Sequence, residues 1–376
     1  MNMNTPIIVL MITLVIGCFI YGVAIRVIIY GLTRIENITS HSNTCFISVI
    51  IAARNERNTI SSCLAALASQ DYQPDMFEVI VADDRSIDHT GEVVNRFLTI
   101  IKNMALIRIE TVPQGISPKK NALTQAIKHA KGEIILQTDA DCIPPVNWIS
   151  GIASRFDNKI NMVVGVAPYF KAPGMLNSFI RHEYIWNAAL AAASISLGHG
   201  THASGRNLAF RKKIFDQLEG YGNKKDVQSG DDTLLLQQIR KLNSGSVKYL
   251  PSRETHVYTY APRAFSSFLR QRTRHMSTGK FFDPFLIVLG LIIYGFHMLL
   301  LSTLLLSVFS AWLFLLFLAG FIVKCLADAF TARCVRDTIG LEVEWKQFLH
   351  NEFFLLIYMS VMPLLGLLVP VTWKEK

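Results

Sequence analysis

Two pairs of aspartates stand directly after runs of apolar residues that are typical of buried strands. Asp83 and Asp84 end the first run, and Asp139 and Asp141 end the second. Acidic residues after strands are common turn formers. A role in a turn therefore explains either pair alone as well as a role in a binding site does. Both pairs together would crowd carboxylates at one edge, where they repel each other unless a cation or hydrogen-bond donors compensate. Mg²⁺ or Mn²⁺, bound by one or two carboxylates and by substrate phosphates, meets that need.

The elements that position these aspartates follow from an alternation of two patterns. Short runs rich in Val and Ile predict buried parallel strands at 46–53, 77–82, 105–109 and 133–138. Helical spacing or helix-start signals connect them at 59–68, 88–97 and 117–130. This alternation predicts an α/β domain with a parallel sheet and helices on both faces. Ligands of such sheets bind at the carboxyl ends of the strands, where both aspartate pairs are expected.

Two further groups of polar residues lie downstream. Asp231 and Asp232 precede a leucine-rich helical segment, and the helix macrodipole alone would favour acids at that place. Gln271 and Arg274 lie in 262–279, which reads as a basic amphipathic helix beside a membrane. Segment 175–195 is a further helix, at a membrane interface or in the core.

The composition divides the chain into a soluble middle and apolar ends. Of 376 residues, 51% are hydrophobic and 17% are charged, whereas about a quarter of a soluble chain is charged. Segment 6–25 has no charged side chain and is long enough to span a bilayer. A cleaved signal peptide fits less well, because no basic residue precedes the segment and no cleavage site follows it.

The second apolar end predicts three more membrane helices. In segment 285–323 only His297 can carry charge near neutral pH, and the segment is long enough for two spans, with a turn near 302–310. Segment 353–373 predicts the fourth helix, which Pro363 and Pro370 would kink or make re-entrant. The predicted domains are therefore 1–30, 45–280 and 285–373.

Basic residues near the helix ends predict the orientation. They follow the first helix or lie in a predicted loop at 324–352: Arg26, Arg34, Lys324, Arg333, Arg336 and Lys346. The protein is expected in the cell inner membrane. The middle domain and this loop should be cytosolic, and the N-terminus should lie outside. Lys374 and Lys376 would then lie outside, against the rule. The net charge of +9 suits lipid headgroups better than nucleic acid. The six cysteines show no metal-site spacing and are expected to be reduced.

Seven motifs in order resemble those of family 2 glycosyltransferases, which have the GT-A fold. They are VIIAARNE at 49–56, VADDRSIDHT at 81–90, PKKNAL at 118–123, GEIILQTDAD at 132–141, SGRNLAFR at 204–211, GDD at 230–232 and QRTRH at 271–275. The flanking helices match membrane-bound members such as ceramide glucosyltransferases and polysaccharide synthases. The resemblance implies a GT-A domain with a Rossmann-like, mostly parallel sheet between transmembrane helices.

The resemblance also implies roles for donor and metal binding. Asp83 and Asp84 match the pair that contacts the base and ribose of a nucleotide-sugar donor. Lys119 matches a lysine near the nucleotide, and Arg54 counts among the donor-binding residues. Asp139 and Asp141 match the DxD motif, with Asp141 as the preferred ligand of Mg²⁺ or Mn²⁺.

The remaining motifs imply the catalytic residues. Asp232 matches the catalytic base, and Asp231 stands where the family usually has Glu. Gln271 and Arg274 match the QxxRW motif, whose arginine faces the leaving diphosphate. His275 replaces the Trp of that motif.

The expected function is inverting transfer of a sugar from a nucleotide-diphosphate sugar, most commonly UDP-linked, to a hydroxyl of a hydrophobic membrane acceptor. A glycolipid, a polyprenyl phosphate or a carotenoid alcohol would fit. A processive polysaccharide synthase and a nucleotidyltransferase remain alternatives. A transporter is disfavoured, because the predicted spans carry almost no charge.

Overall fold

The structure is a computed structural model that describes residues 5–36, 45–200, 202–227, 229–276 and 284–368. The chain divides into two compact units. Among the described residues, the sheet unit contains 35–170 and 194–261, and the helical unit contains the N-terminal helix, 171–193 and the chain between Pro262 and Pro370. The predicted domain 45–280 therefore includes two segments that the structure groups with the apolar helices.

A seven-stranded sheet forms the centre of the sheet unit in the described residues. Its strands, in the spatial order β3-β2-β1-β4-β7-β6-β8, are β1 (Ile47–Ala53), β2 (Phe77–Asp84), β3 (Met104–Ile109), β4 (Ile134–Asp139), β6 (Met162–Gly165), β7 (Leu208–Arg211) and β8 (Val247–Leu250). Two short strands, β5 (Cys142–Ile143) and β9 (Tyr258–Thr259), form an antiparallel pair. All four strands predicted from the sequence are confirmed within a few residues.

The sheet is mostly parallel, as predicted. Strands β1 to β4 are parallel to their neighbours in this group, whereas β7 is antiparallel to both β4 and β6. In the register, Ala53 of β1 lies opposite Asp83, and Ala52 lies opposite Asp139. The carboxyl ends of three adjacent strands therefore meet at one edge, with the acidic residues at their tips.

Helices cover this sheet and connect its strands. They are α2 (Ile60–Ala68), α3 (Thr90–Phe97), α4 (Pro118–His129), α5 (Trp148–Ala153), α7 (Lys212–Gln217) and α8 (Asp231–Leu242). Pro118 starts α4 at a position where its missing N–H is not needed. Gly230 precedes α8 with a φ of 74°, a left-handed conformation that glycine adopts at no steric cost. The macrodipole of α8 then favours Asp231 and Asp232 in its first turn.

The helical unit is built from six helices among the described residues. They are α1 (Thr5–Thr33), α6 (Met175–Ser196) up to Ala193, α9 (Phe265–Met276), α10 (Pro284–Leu306), α11 (Ala311–Thr338) and α12 (Phe348–Leu368). In the part of the chain that the structure describes, four stretches are long and apolar enough to cross a membrane: Thr5–Thr33, Pro284–Phe309, Ala311–Thr338 and Trp345–Gly366. The turn between α10 and α11 falls at 307–310, as predicted.

Two open points of the sequence analysis concern helices of this unit. The 175–195 helix is α6, and its residues Ile180, Ala189 and Ala192 are fully buried. Helix α12 continues through Pro363, while Pro370 and the predicted end at 373 lie outside the described residues. The predicted basic helix 262–279 is α9, and its last predicted residues also lie outside them.

The predicted loop at 324–352 is wrong for most of its length. Helix α11 continues to Thr338, and Lys324 and Asp328 are buried within it. Lys324 ended the predicted span because an unpaired ammonium is costly in hydrocarbon. The structure removes that cost by pairing, since Lys324 Nζ lies 2.7 Å from Asp328 Oδ2 and also bonds Glu352 of α12.

Neighbouring helices complete this buried cluster. Tyr21 of α1 donates a hydrogen bond of 2.5 Å to Asp328 Oδ1. His182 of α6 lies 2.8 Å from Glu352 through its Nε2 atom. The apolar helices thus contain paired charges, contrary to the prediction of almost none. Four helices are joined through these groups: α1, α6, α11 and α12.

Replacement of Lys324 by Met should destabilise the helical unit strongly. The substitution leaves Asp328 and Glu352 buried without their cation, and breaking such a pair typically costs about 3–5 kcal/mol. Thermal unfolding of the purified protein in detergent measures the effect. Lys346→Met is the control, because Lys346 is exposed. Equal melting temperatures for the two variants would contradict a structural role for the cluster.

Candidate active site

Lys119 lies at the centre of the acidic edge. It is in the first turn of α4, and its Nζ atom is 3.1 Å from Asp139 Oδ1 at the end of β4. The same ammonium is 3.3 Å from Asp231 Oδ2 at the start of α8. Its side chain is 18% exposed, so the two contacts operate in a partly desolvated setting. One cation therefore joins two acidic motifs that are far apart in the sequence.

Asp231 and Asp232 have different environments. Asp231 is buried and accepts a hydrogen bond of 3.1 Å from Gln137 Nε2. Asp232 is only partly buried, and the Gly205 N–H donates to its Oδ2 atom at 2.8 Å. The Thr233 N–H donates to Oδ1 of Asp232 at 2.6 Å. Both carboxylates are thus held in place, and Asp232 is the more accessible of the two.

The electrostatics of this group suit proton transfer near neutral pH. Burial raises the pKa of Asp232 to about 6, and the Asp231 charge adds to this, whereas Lys119 and the N–H groups of Gly205 and Thr233 oppose it. Burial by itself would lower the pKa of Lys119, but the surrounding aspartates raise it above its usual value. Lys119 is therefore a permanent cation beside a carboxylate whose pKa is close to that of an effective general base.

Gly205 is fitted tightly against this group. A Cβ atom at this position would lie 2.6 Å from Gln137 Nε2 and 3.3 Å from Asp231 Oδ2. Distances below 3.0 Å are not tolerated between such atoms, so a side chain here must displace Gln137. Sequence reasoning assigned no role to Gly205 or Gln137. The signal for Gln137 was a polar residue inside an otherwise apolar strand.

The end of β2 forms a second part of the site. Asp84 is fully buried, and its carboxylate pairs with Arg85 Nε at 2.8 Å and with Arg54 Nη1 at 3.6 Å. Asp83 accepts a hydrogen bond of 3.3 Å from the Ser86 N–H. The structure thus brings Arg54, Asp83 and Asp84 together at the tips of β1 and β2. Asp84 orients the two guanidinium groups.

The loops after β1 and β2 are joined by hydrogen bonds that the sequence analysis missed. The Asn55 N–H donates to Ser86 Oγ at 2.9 Å, and the Ile87 N–H donates to Asn55 Oδ1 at 3.0 Å. Asn55 and Arg85 both have a φ of 54°, in the left-handed region. Asn tolerates this conformation better than most residues, which suits Asn55 to its place in the turn. These bonds hold Arg54 and Arg85 in a defined position.

Asp139 ends β4, and Asp141 lies in the turn that follows it. Asp139 is partly exposed and Asp141 is exposed. The backbone at Asp141 is anchored, because Thr259 Oγ1 of β9 donates to its carbonyl at 3.0 Å. In the described ranges, no three His, Cys, Asp or Glu side chains are grouped to hold a metal. Two carboxylates fit a Mg²⁺ or Mn²⁺ ion that takes its other ligands from phosphates and water.

Gln271 and Arg274 lie on α9 of the helical unit. Both are partly exposed, whereas Arg272 between them is buried. Their contribution to the same reaction as Asp232 stays a prediction. His275, which replaces the Trp of the family motif, is exposed.

Family models match most of the chain. The model described as "Glycosyl transferase family 2" matches residues 48–219. The model described as "Glycosyl transferase family group 2" matches residues 134–370, more than half of the chain. The second match extends through α9 and the three apolar helices that follow it.

Two curated relatives illustrate the similarity. The probable glycosyltransferase YdaM of Bacillus subtilis is 29% identical over 238 residues, which is 61% of this chain and 54% of the relative. The glycosyltransferase AglE of Haloferax volcanii is 34% identical over 121 residues, which is 32% of this chain and 38% of the relative. The chain thus spans about half or less of the length of these relatives.

One solved structure is similar over the whole chain. It is the mannosyltransferase PcManGT from Pyrobaculum calidifontis, in complex with GDP-Man and Mn²⁺. The TM-score is 0.60 at 20% identity, with 98% of this chain and 99% of the other covered. This similarity confirms the predicted GT-A fold.

Gly205→Ala should destabilise the protein, because the added methyl group must displace Gln137 from Asp231. Overpacking of this kind typically costs about 1–3 kcal/mol. Denaturant unfolding of the detergent-solubilised protein measures the loss. Gly245→Ala is the matched control, since a Cβ there would meet nothing closer than 3.5 Å. The predicted tight fit would be refuted by equal effects of the two substitutions.

Proposed function

The chain belongs to glycosyl transferase family 2, and from this premise we propose that it transfers a sugar from a nucleotide-diphosphate sugar to a hydroxyl group of a membrane acceptor. The observation that carries the proposal is the Lys119 bridge between Asp139 and Asp231. It joins the proposed metal-binding motif to the motif of the proposed base. A site that binds a diphosphate and deprotonates a hydroxyl needs both in one place.

Asp232 is the proposed general base. Its pKa of about 6 leaves it mostly ionised at neutral pH and still basic enough to accept a proton in the transition state. The hydrogen bonds from Gly205 and Thr233 fix the direction of its carboxylate. The acceptor oxygen would attack the anomeric carbon while the sugar–phosphate bond breaks. One such displacement, with no enzyme nucleophile, inverts the anomeric centre.

Asp139 and Asp141 are the proposed ligands of Mg²⁺ or Mn²⁺. When bound, the metal would neutralise negative charge on the leaving diphosphate. Lys119 would hold Asp139 in place and add a second positive charge. Arg274 and Gln271 are proposed to meet the same diphosphate, as the family resemblance implies. A nucleotide-sugar and Mn²⁺ are bound by the Pyrobaculum mannosyltransferase, and we extend this pairing to the present chain.

Arg54, Asp83 and Asp84 are proposed to form the nucleotide end of the donor site. Asp83 is held by Ser86, and the buried Asp84 orients Arg54 and Arg85. A nucleoside has hydrogen-bond donors on its ribose and base, which suit carboxylates, while guanidinium groups suit its phosphates. A UDP-linked donor is the first choice, and a GDP-linked donor is the alternative.

The proposed acceptor is a hydrophobic alcohol in the membrane. His275 is smaller and more polar than the Trp of the family motif, so it offers a growing glycan a poorer stacking face. Four candidate membrane helices are a small set to enclose a polymer channel. A processive polysaccharide synthase is the alternative within this class. A nucleotidyltransferase would share the acidic edge but would leave the Asp232 and Arg274 motifs without a role.

The sheet unit is proposed to face the cytosol at the cell inner membrane, with the N-terminus outside. Native Cys63 and Cys142 are buried and therefore poor reporters of this topology. Glu110 is an exposed residue of the sheet unit. In intact cells, Glu110→Cys should resist a membrane-impermeant thiol reagent and react after permeabilisation. Reaction in intact cells would refute the proposed orientation.

The proposed base makes a specific prediction about pH. The protonated carboxyl is inactive as a base, so kcat/KM should rise with pH through about 6 and level off above it, as the Asp232 pKa implies. Asp232→Asn should retain donor binding and lose turnover by about 10²–10⁴-fold. Lys119→Met removes a positive charge that lowers the Asp232 pKa, so the variant should have a higher Asp232 pKa. The residual kcat/KM of this variant should therefore rise at a higher pH than that of the wild type. Initial rates measured over about two pH units on either side of the Asp232 pKa test both effects.

Asp216→Asn is the control for this series, because Asp216 is an exposed acid of α7 that belongs to none of the site contacts described above. It should leave the profile unchanged. Near-normal turnover of Asp232→Asn would disprove the assignment of the base.

The decisive test of the function is a transfer assay with purified protein, labelled UDP- or GDP-sugars and a membrane extract. Label should pass to an organic-soluble product that resists glycan-degrading enzymes, with release of a nucleoside diphosphate. Chelation should abolish transfer by the wild-type enzyme, and added Mg²⁺ or Mn²⁺ should restore it. The Asp141→Asn variant should remain inactive when the metal is added. A water-soluble polymer would favour the synthase, and release of pyrophosphate would favour the nucleotidyltransferase.

A further inference from the structure

A buried ion pair ties the helix of the QxxRW-like motif to the rest of the helical unit. Arg272 of α9 donates through Nη2 to Oε2 of Glu183 on α6, and both residues are only 5% exposed. The other carboxylate oxygen, Oε1, accepts hydrogen bonds from Asn187 Nδ2 at 3.0 Å and from Tyr358 OH at 3.3 Å. Glu183 therefore joins three helices, α6, α9 and α12.

Aromatic rings surround this pair. The ring of Phe179 meets those of Phe268 and Tyr358 edge-on, at centroid distances of 6.0 and 5.5 Å. The Arg272 guanidinium lies over the Phe268 ring, 5.2 Å from its centroid. These rings exclude water from the pair, so its loss leaves an uncompensated buried charge. The contact is thus a strong constraint on α9.

Helix geometry links this constraint to the neighbouring motif residues. Arg272 and Arg274 are two positions apart, which corresponds to about 200° around a helix of 3.6 residues per turn. Arg272 therefore points into the helical unit while Arg274 points to nearly the opposite side. A rotation of α9 about its axis would move Arg274 directly, and the bond to Glu183 opposes that rotation.

A second contact holds the end of the same helix. A Cβ atom on Gly366 of α12 would lie only 2.4 Å from Cβ of Met276, the last residue of α9. The two helices approach as closely as a glycine permits. Met276 and Arg272 are one helical turn apart, so α9 contacts its neighbours at two points along its axis. Its axial position and its rotation are both set by contacts on one face.

From this geometry we infer that Glu183 is a positioning residue, which sets the direction of Arg274 through the buried bond to Arg272. This inference rests on the proposed function, in which Arg274 meets the leaving diphosphate. Glu183 itself touches neither substrate nor metal in this scheme. Its contribution to the reaction is to keep one face of α9 oriented.

A double-mutant cycle tests this inference. Glu183→Gln keeps the side-chain volume but removes the charge, and a misplacement of about 1 Å in a site can cost up to about 10²-fold in rate. We expect kcat to fall about 10- to 100-fold in the wild-type background. In an Arg274→Ala background the same substitution should change kcat less than about twofold, because two residues that act through one group are not additive.

The controls separate positioning from general support of the fold. Glu342→Gln makes the same chemical change at an exposed partner of Arg181 and should leave kcat unchanged in both backgrounds. Rates are normalised to monodisperse, folded protein by size-exclusion chromatography and thermal unfolding. If Glu183→Gln does not fold, Tyr358→Phe removes one hydrogen bond to the Glu183 carboxylate without changing any charge, and it enters the same cycle with a smaller expected effect.

The outcomes are distinct. An equal loss in both backgrounds would mean that Glu183 only supports the fold, which overturns the inference. An unchanged kcat for Glu183→Gln overturns it as well, while leaving the proposed function intact. An unchanged kcat for Arg274→Ala alone would overturn both the inference and the proposed role of α9.

Discussion

The contact on which the proposed site depends is the ammonium of Lys119 between Asp139 and Asp231. Three carboxylates, with Asp232 as the third, converge on this cation from β4 and α8. Without it, the three like charges would repel one another. With it, this repulsion is offset, and Asp232 has a pKa of about 6. Burial raises that pKa and the Lys119 charge lowers it, and the balance suits proton transfer near neutral pH.

The helical unit meets the same physical problem in an apolar setting. Lys324 is fully buried between Asp328 and Glu352, and Arg272 is buried against Glu183. In each case a charge that would be prohibitive alone is compensated, and one partner lies on another helix. Glu352 of α12 pairs with Lys324 of α11, and Glu183 of α6 pairs with Arg272 of α9, so these two pairs also specify how the helices are arranged. Charge compensation therefore contributes to assembly in this unit and to chemistry in the sheet unit.

Two residues depart from the family pattern, Asp231 and His275, and both bear on the choice of acceptor. Asp231 is shorter than the usual Glu by one methylene. Its carboxylate pairs with Lys119 and accepts a hydrogen bond from Gln137. This leaves Asp232 as the more accessible carboxylate. His275 is exposed at the position of the family Trp, on the helix that Glu183 is proposed to orient. The proposed acceptor class and the proposed positioning role meet on that short helix.

The sequence by itself determined the α/β class, the four strands that lead to the aspartates and the presence of four apolar helices. Those features rest on local periodicity and on chain length, which a single sequence displays. Only the tertiary structure decided which charges meet. Lys119 and Asp231 are separated by more than a hundred positions. Gly205 and Gln137 lie in two of the motifs, but the sequence did not indicate that they contact each other or Asp231. The error at 324–352 has the same origin, because a lysine ends a span only if no carboxylate lies within reach, and that depends on how the helices pack.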